Sequence, residues 1–184
     1  MSLAAKVLGL FINPRKTFEL ILKDGQPAIE FSWMILCFAV SGCLVAYIGS
    51  KRFDPYYFGA SSIAFLLAWF GYSSILYIFS KAFGGEGKFM HILEGMALTM
   101  TSLVVLLVVE TPFVSVHPGH LDVGIAFTTP PVIIFGIWLM ILIVFLVSEL
   151  MHMSKKRAFA AYLFSTIIFY IVAGIYFGIV AYFH

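Results

Sequence analysis

Residues Pro131 to Met153 read PVIIFGIWLMILIVFLVSELMHM, and the first ionisable group in that run is Glu149. About 20 consecutive apolar residues cross the hydrocarbon core of a bilayer as a helix, so this stretch predicts a membrane span. Four more runs meet the same length test: Ala28 to Gly49, Tyr57 to Phe79, Phe89 to Thr111 and Phe159 to Phe183. The chain's composition agrees. Of its 184 residues 62% are hydrophobic and 11% charged, with mean hydropathy +1.04. A soluble domain runs at about half apolar and about a quarter charged, so this chain has too little polar surface to cover a water-facing globule. The expected fold is an all-α, polytopic bundle of five spans (28–49, 57–79, 89–111, 131–153 and 159–183).

Basic residues set the expected orientation. With the N-terminus inside, the cytoplasmic connections carry Lys6, Arg15, Lys16, Lys23, Lys81, Lys88, Lys155, Lys156 and Arg157. The outer side carries only Lys51 and Arg52. Positive charge concentrates on the cytoplasmic side of membrane proteins, so the N-terminus is expected in and the C-terminus out. The outer connection from Pro112 to Pro130 holds an apolar piece, Val123 to Phe127, too short to span. Its prolines predict either an ordered external loop or a re-entrant turn.

Residues 1–26 form a separate amphipathic segment ahead of the 27–184 membrane domain. Leu3, Val7, Leu10 and Phe11 make one apolar stripe at helical spacing. Asn13 is a favoured N-cap, Pro14 suits the first helical position, and Gly25 is a natural stop. The segment is expected to lie in the inner headgroup layer; the alternative is that it folds back on the cytoplasmic ends of the bundle. No positively charged start, compact apolar run and small-residue cleavage site occur in the order of a signal peptide, so a cell-membrane protein without a cleaved leader is expected. Cys37 and Cys43 are about 9 Å apart along a helix axis, beyond disulfide reach. The net charge of +2, without a long Lys/Arg run, argues against nucleic acid as a partner.

Ionisable groups within spans are the candidates for function. His91 and Glu94 stand three apart at the start of the third span, and Glu149 and His152 three apart at the end of the fourth. Residues three apart share a helix face, so the two pairs could enclose a proton, a polar substrate group or a divalent metal ion. Alternatively they snorkel to the surface or pair with Lys88 or Lys155. Outside, His117, His120 and Asp122 have metal-ligand chemistry, but sit in a turn-rich loop that reads as solvated. Gly174 and Gly178 form a GxxxG in the last span, serving packing within the bundle or a homodimer. No catalytic set is present, and no cofactor is expected. Gly84-Gly85-Glu86-Gly87-Lys88 lacks the spacing and strand context of a phosphate-binding loop and reads as a cytoplasmic turn.

That turn carries a resemblance. Ser80 to Phe89 (SKAFGGEGKF) resembles the Gly-Gly-x-Gly-x-Phe segment of the Yip1-domain family, with Gly84, Gly85, Gly87, Lys88 and Phe89 at its centre. Asn13 to Glu19 resembles the Asn-Pro…Phe-Glu opening of its short prokaryotic members. The resemblance implies a compact five-helix membrane domain. Eukaryotic relatives bind Rab-type GTPases, partly through a long N-terminal region that is not expected here; the Asp-Leu-Tyr-Gly-Pro motif does not occur in the sequence, so that activity is not expected to carry over. The expected role is non-enzymatic, a scaffold or membrane organiser contacting anionic headgroups and an unidentified membrane or cytoplasmic protein. The alternative is a small transporter or channel using Glu94 and Glu149.

Overall fold

The computed structural model describes residues 9–10, 12–24, 40, 55–99 and 130–183. The helices are α1 (Pro14–Asp24), α2 (Pro55–Ala82), α3 (helical over its described part, 89–99), α4 (Pro130–Leu150) and α5 (Lys155–Phe183). No strand occurs among the described residues. Three helical stretches are long and apolar enough to cross a membrane: Phe58–Ala82, Ile133–Leu150 and Lys155–Ile175. The expected first span, the outer half of the third, and the 112–129 connection with its His117, His120 and Asp122 lie outside the described residues, Val40 excepted.

The described bundle is apolar on both its inside and its outside. Leu76, Ile92, Met96, Leu146, Leu150 and Met151 are fully buried. Yet Leu67 and Ile134 are 68% and 67% exposed, and Ile63, Ile137, Ile171 and Ile175 also face outward. Water would make such a surface an aggregation site; hydrocarbon makes it a solvated one. The chain is a multi-pass membrane protein.

Helix α5 packs on α2 and α4, and α1 packs on α4. The α2–α5 seam is aromatic: Phe79 stacks on Phe164 at 6.0 Å, and Tyr72 meets Phe169 edge-on at 5.4 Å. The hydroxyls of Tyr72 and Thr166 share a hydrogen bond of 3.0 Å across it. Between α3 and α4 the approach is closer still. A side chain at Gly95 would meet Leu146 Cδ1 at 2.7 Å and Leu150 Cδ1 at 2.8 Å, so the two helices are tightly closed on each other there.

At one end of the bundle two helices terminate in the same way. In α2, Gly85 N–H donates to Ser80 O and Gly84 N–H to Lys81 O, with Gly84 left-handed at φ 85°. That is the Schellman pattern, which satisfies carbonyls left open by the last turn. In α4, Met153 N–H donates to Ser148 O and His152 takes the left-handed position at φ 52°. The Ser148 hydroxyl also donates to Met153 O at 2.8 Å. This second cap corrects the expected fourth span: the helix stops at Leu150, and 151–153 belong to the turn. The fifth helix starts before its expected 159, because Lys155 to Arg157 form its first turn.

The two caps touch. Glu86 N–H donates to Met151 O at 2.9 Å, a backbone bond between the α2–α3 turn and the α4–α5 turn. Gly87 lies against the Leu150 carbonyl, and a side chain at Gly85 would meet Met151 Cε at 2.9 Å. Gly87→Ala should therefore destabilise the purified protein by about 1–3 kcal/mol, the range for overpacking against a contact that cannot yield. Gly71→Ala, where nothing lies within 4 Å, should leave the thermal midpoint unchanged or slightly raised.

Candidate functional site

The site is the end of the bundle where these turns meet, and α1 completes it. Asn13 caps α1: its side-chain oxygen accepts from Lys16 N–H at 3.3 Å, and its carbonyl accepts from Thr17 N–H at 3.2 Å and from the Thr17 hydroxyl at 3.1 Å. Pro14 follows at the position where a missing N–H costs nothing. The preceding residues 9–12 are also helical where described, and Gly9 lies against the Thr17 side chain. Leu10, Thr17 and Phe18 are buried, whereas Arg15, Lys16 and Glu19 are exposed. The amphipathic pattern thus has its apolar face on the protein, and the contact is with α4.

Arg15 secures that contact. Its Nε lies 3.0 Å from Glu149 Oε1, and 3.4 Å from Glu19 Oε1 one turn along α1. The Glu149 side chain is 18% exposed, so this carboxylate sits in a poorly hydrated place with a guanidinium across from it. Spacing along the chain could not reveal this partner, because it comes from a distant segment brought back by packing.

The four-residue cluster expected from sequence is only partly assembled. Glu149 is in the last turn of α4, but His152 lies beyond the helix end, so the two do not share a helix face. The reason is the cap: the left-handed residue turns the chain away before another helical turn forms. His152 is exposed, and His91 lies within electrostatic reach of both it and Lys88. Glu94 is buried on α3. Among the described residues, no group of three or more His, Cys, Asp or Glu side chains is placed to hold a metal ion.

Basic groups ring the same end. Lys155, Lys156 and Arg157 open α5, where the helix macrodipole is already positive and the first turn holds no acidic residue. The Arg157 guanidinium comes within 3.6 Å of where a Gly84 side chain would start, tying α5 to the glycine turn. Lys155 Nζ sits 4.4 Å from the Phe145 ring centroid, and Lys81 Nζ 5.7 Å from that of Tyr77. Phe89, which closes the turn, packs edge-on against Tyr77 at 5.4 Å and Phe70 at 5.9 Å. Far from this end, Gly174 is exposed with nothing within 4 Å of an added side chain. Gly178 lies in the same helix.

The Yip1-domain family model matches residues 8–177. The chain belongs to the Yip1-domain family. The match takes in α1, the glycine turn and most of α5, so in this Yip1-domain protein the assembled end is part of the domain itself. No curated protein and no solved structure matches the chain.

Two expectations test the site. In a double-mutant cycle, Arg15→Ala and Glu149→Gln should show a coupling of about 0.5–1 kcal/mol in thermal stability, since Arg15 is largely exposed and salt weakens such a pair. His152→Gly should raise the thermal midpoint, by relief of a left-handed conformation costing about 1 kcal/mol for an L residue.

Proposed function

We propose that this protein is a non-enzymatic five-span scaffold of the cell membrane, of the short prokaryotic type, with its N-terminus in and its C-terminus out. Its working surface is the basic end, facing the cytoplasm. The observation that carries this reading is the joint between the two helix-ending turns, with α1 clamped beside it by Arg15 and Glu149. A rigid end surface built from three separate chain segments suits display to a partner more than it suits a gate. The exposed face of α1 and the start of α5 favour anionic headgroups at the inner surface, each basic group there adding about 1 kcal/mol. A membrane or cytoplasmic protein would dock on the same surface. A second copy would meet the exposed position Gly174, with Gly178 four residues on in the same helix.

The competing reading is transport through Glu94 and Glu149. Against it stand the ion pair that occupies Glu149 and the closed contact of Gly95 with Leu146 and Leu150, one residue on from Glu94. Thr99 does not offer a path either, as its hydroxyl is used on Met96 O of its own helix at 2.9 Å. In proteoliposomes the wild-type protein should give no selective ion or solute flux above empty vesicles, and Glu94→Gln and Glu149→Gln should change nothing. A selective flux that either substitution abolishes would replace the scaffold with a transporter. Reagent labelling of single cysteines at Lys156 and Lys51 in sealed vesicles checks the orientation, with only the Lys156 position expected to react from the cytoplasmic side.

A further inference from the structure

The α2–α5 seam is not filled along its whole length. Midway along the helices a cavity of about 280 Å³ opens between them, lined by Trp69 and Tyr72 of α2, Met96 of α3, Ile143 of α4, and Thr166 and Phe169 of α5. Its lining is overwhelmingly hydrocarbon and aromatic. The Tyr72 and Thr166 hydroxyls in its wall bond to each other, so an occupant need supply no polar group there. Tyr170 at its edge is 71% exposed, so the cavity is reached from the lipid side.

Depth identifies the occupant. Tyr72 precedes Lys81 by nine residues and Thr166 follows Lys155 by eleven, placing the cavity about 14–17 Å from the basic end at the usual helical rise. One leaflet of the hydrocarbon core is about 15 Å thick, half of about 30 Å. The two helices lining the seam also carry the cations: Lys81 in the last turn of α2, and Lys155, Lys156 and Arg157 in the first turn of α5. Among the described residues none of these four is in an ion pair with a carboxylate. Lys155, Lys156 and Arg157 crowd the positive pole of α5, an arrangement that an anion relieves.

We propose that this seam is a binding site for one anionic phospholipid, its phosphate held by Lys155 and Arg157 with Lys81 beside them, and one acyl chain running along α2 and α5 into the cavity beside Trp69. The proposal rests on the reading of the basic end as the headgroup level, but not on a scaffold role. A bilayer supplies acyl chains at high concentration, and filling an apolar cavity gains contacts that an empty one lacks. The bound lipid would be a fixed part of the basic end rather than bulk solvent.

Trp69 is the built-in reporter. In a Trp33→Phe, Trp138→Phe background in detergent, phosphatidylglycerol brominated on its acyl chain should quench Trp69 fluorescence and saturate at one lipid per protein. Brominated phosphatidylcholine should need roughly 30-fold more lipid, the loss expected when two basic groups no longer meet an anionic headgroup. Lys155→Gln with Arg157→Gln, both at exposed positions, should bring phosphatidylglycerol down to the phosphatidylcholine level while gel-filtration position and helix content stay as in the parent. Ala68→Phe, which places a ring in the cavity, should abolish the saturable phase while gel-filtration position and helix content stay as in the parent. Linear, unsaturable quenching by both lipids would overturn the site, as would saturation unaffected by Ala68→Phe, or saturation equal for the two lipids. A selective flux in the proteoliposome experiment would remove the scaffold role and leave this result standing.

Discussion

One backbone hydrogen bond, from Glu86 N–H to Met151 O, organises the described end of this protein. Two loops can share such a bond only when their backbones approach without side chains between them. Glycine at 85 and 87 permits that approach, while Met151 and Leu150 supply the opposite wall. In a bilayer, apolar helices gain little by hiding from lipid, so close packing and polar contacts must hold them in place. A joint at the helix ends, closed on the buried Met151, fixes the relative height of α2, α3, α4 and α5. The glycine-rich turn from Gly84 to Gly87 is therefore a joint in this chain.

The rest follows from that fixed end. Holding α4 at the correct height presents Glu149 to the amphipathic helix, and Arg15 closes the contact from the other side. Burial of Leu10 and Phe18 gives α1 its apolar partner. Along the spans, the rings of Tyr72, Phe79, Phe83, Phe164 and Phe169 meet across the α2–α5 seam, and a cavity lies at mid-depth beside them. The same helices that enclose it end in lysine and arginine, which gives the seam one apolar pole and one cationic pole.

The candidate cluster shows where spacing along a helix misleads. Glu149 and His152 look like neighbours on one face as long as the helix is assumed to continue. The cap after Leu150 breaks that assumption, because a left-handed residue at 152 redirects the chain. Histidine tolerates the position better than most residues but gives no glycine-like signal in the sequence. By contrast the Asn13-Pro14 start of α1 was readable, since capping is a local interaction between residues three and four apart.

The sequence by itself determined that this chain lives in a membrane, that three of its apolar runs are helices long enough to cross one, which residues are basic, and which family it resembles. Those properties depend on composition, on helical length against bilayer thickness, and on short-range motifs, all of which are local. Only the tertiary structure decided that Glu149 belongs to Arg15, that the glycine turn is bonded to the α4–α5 turn, and that a cavity opens between α2 and α5. Each of these joins residues far apart in the chain. Helices with apolar surfaces all round carry no stripe that says which neighbour they face, so packing alone makes that choice.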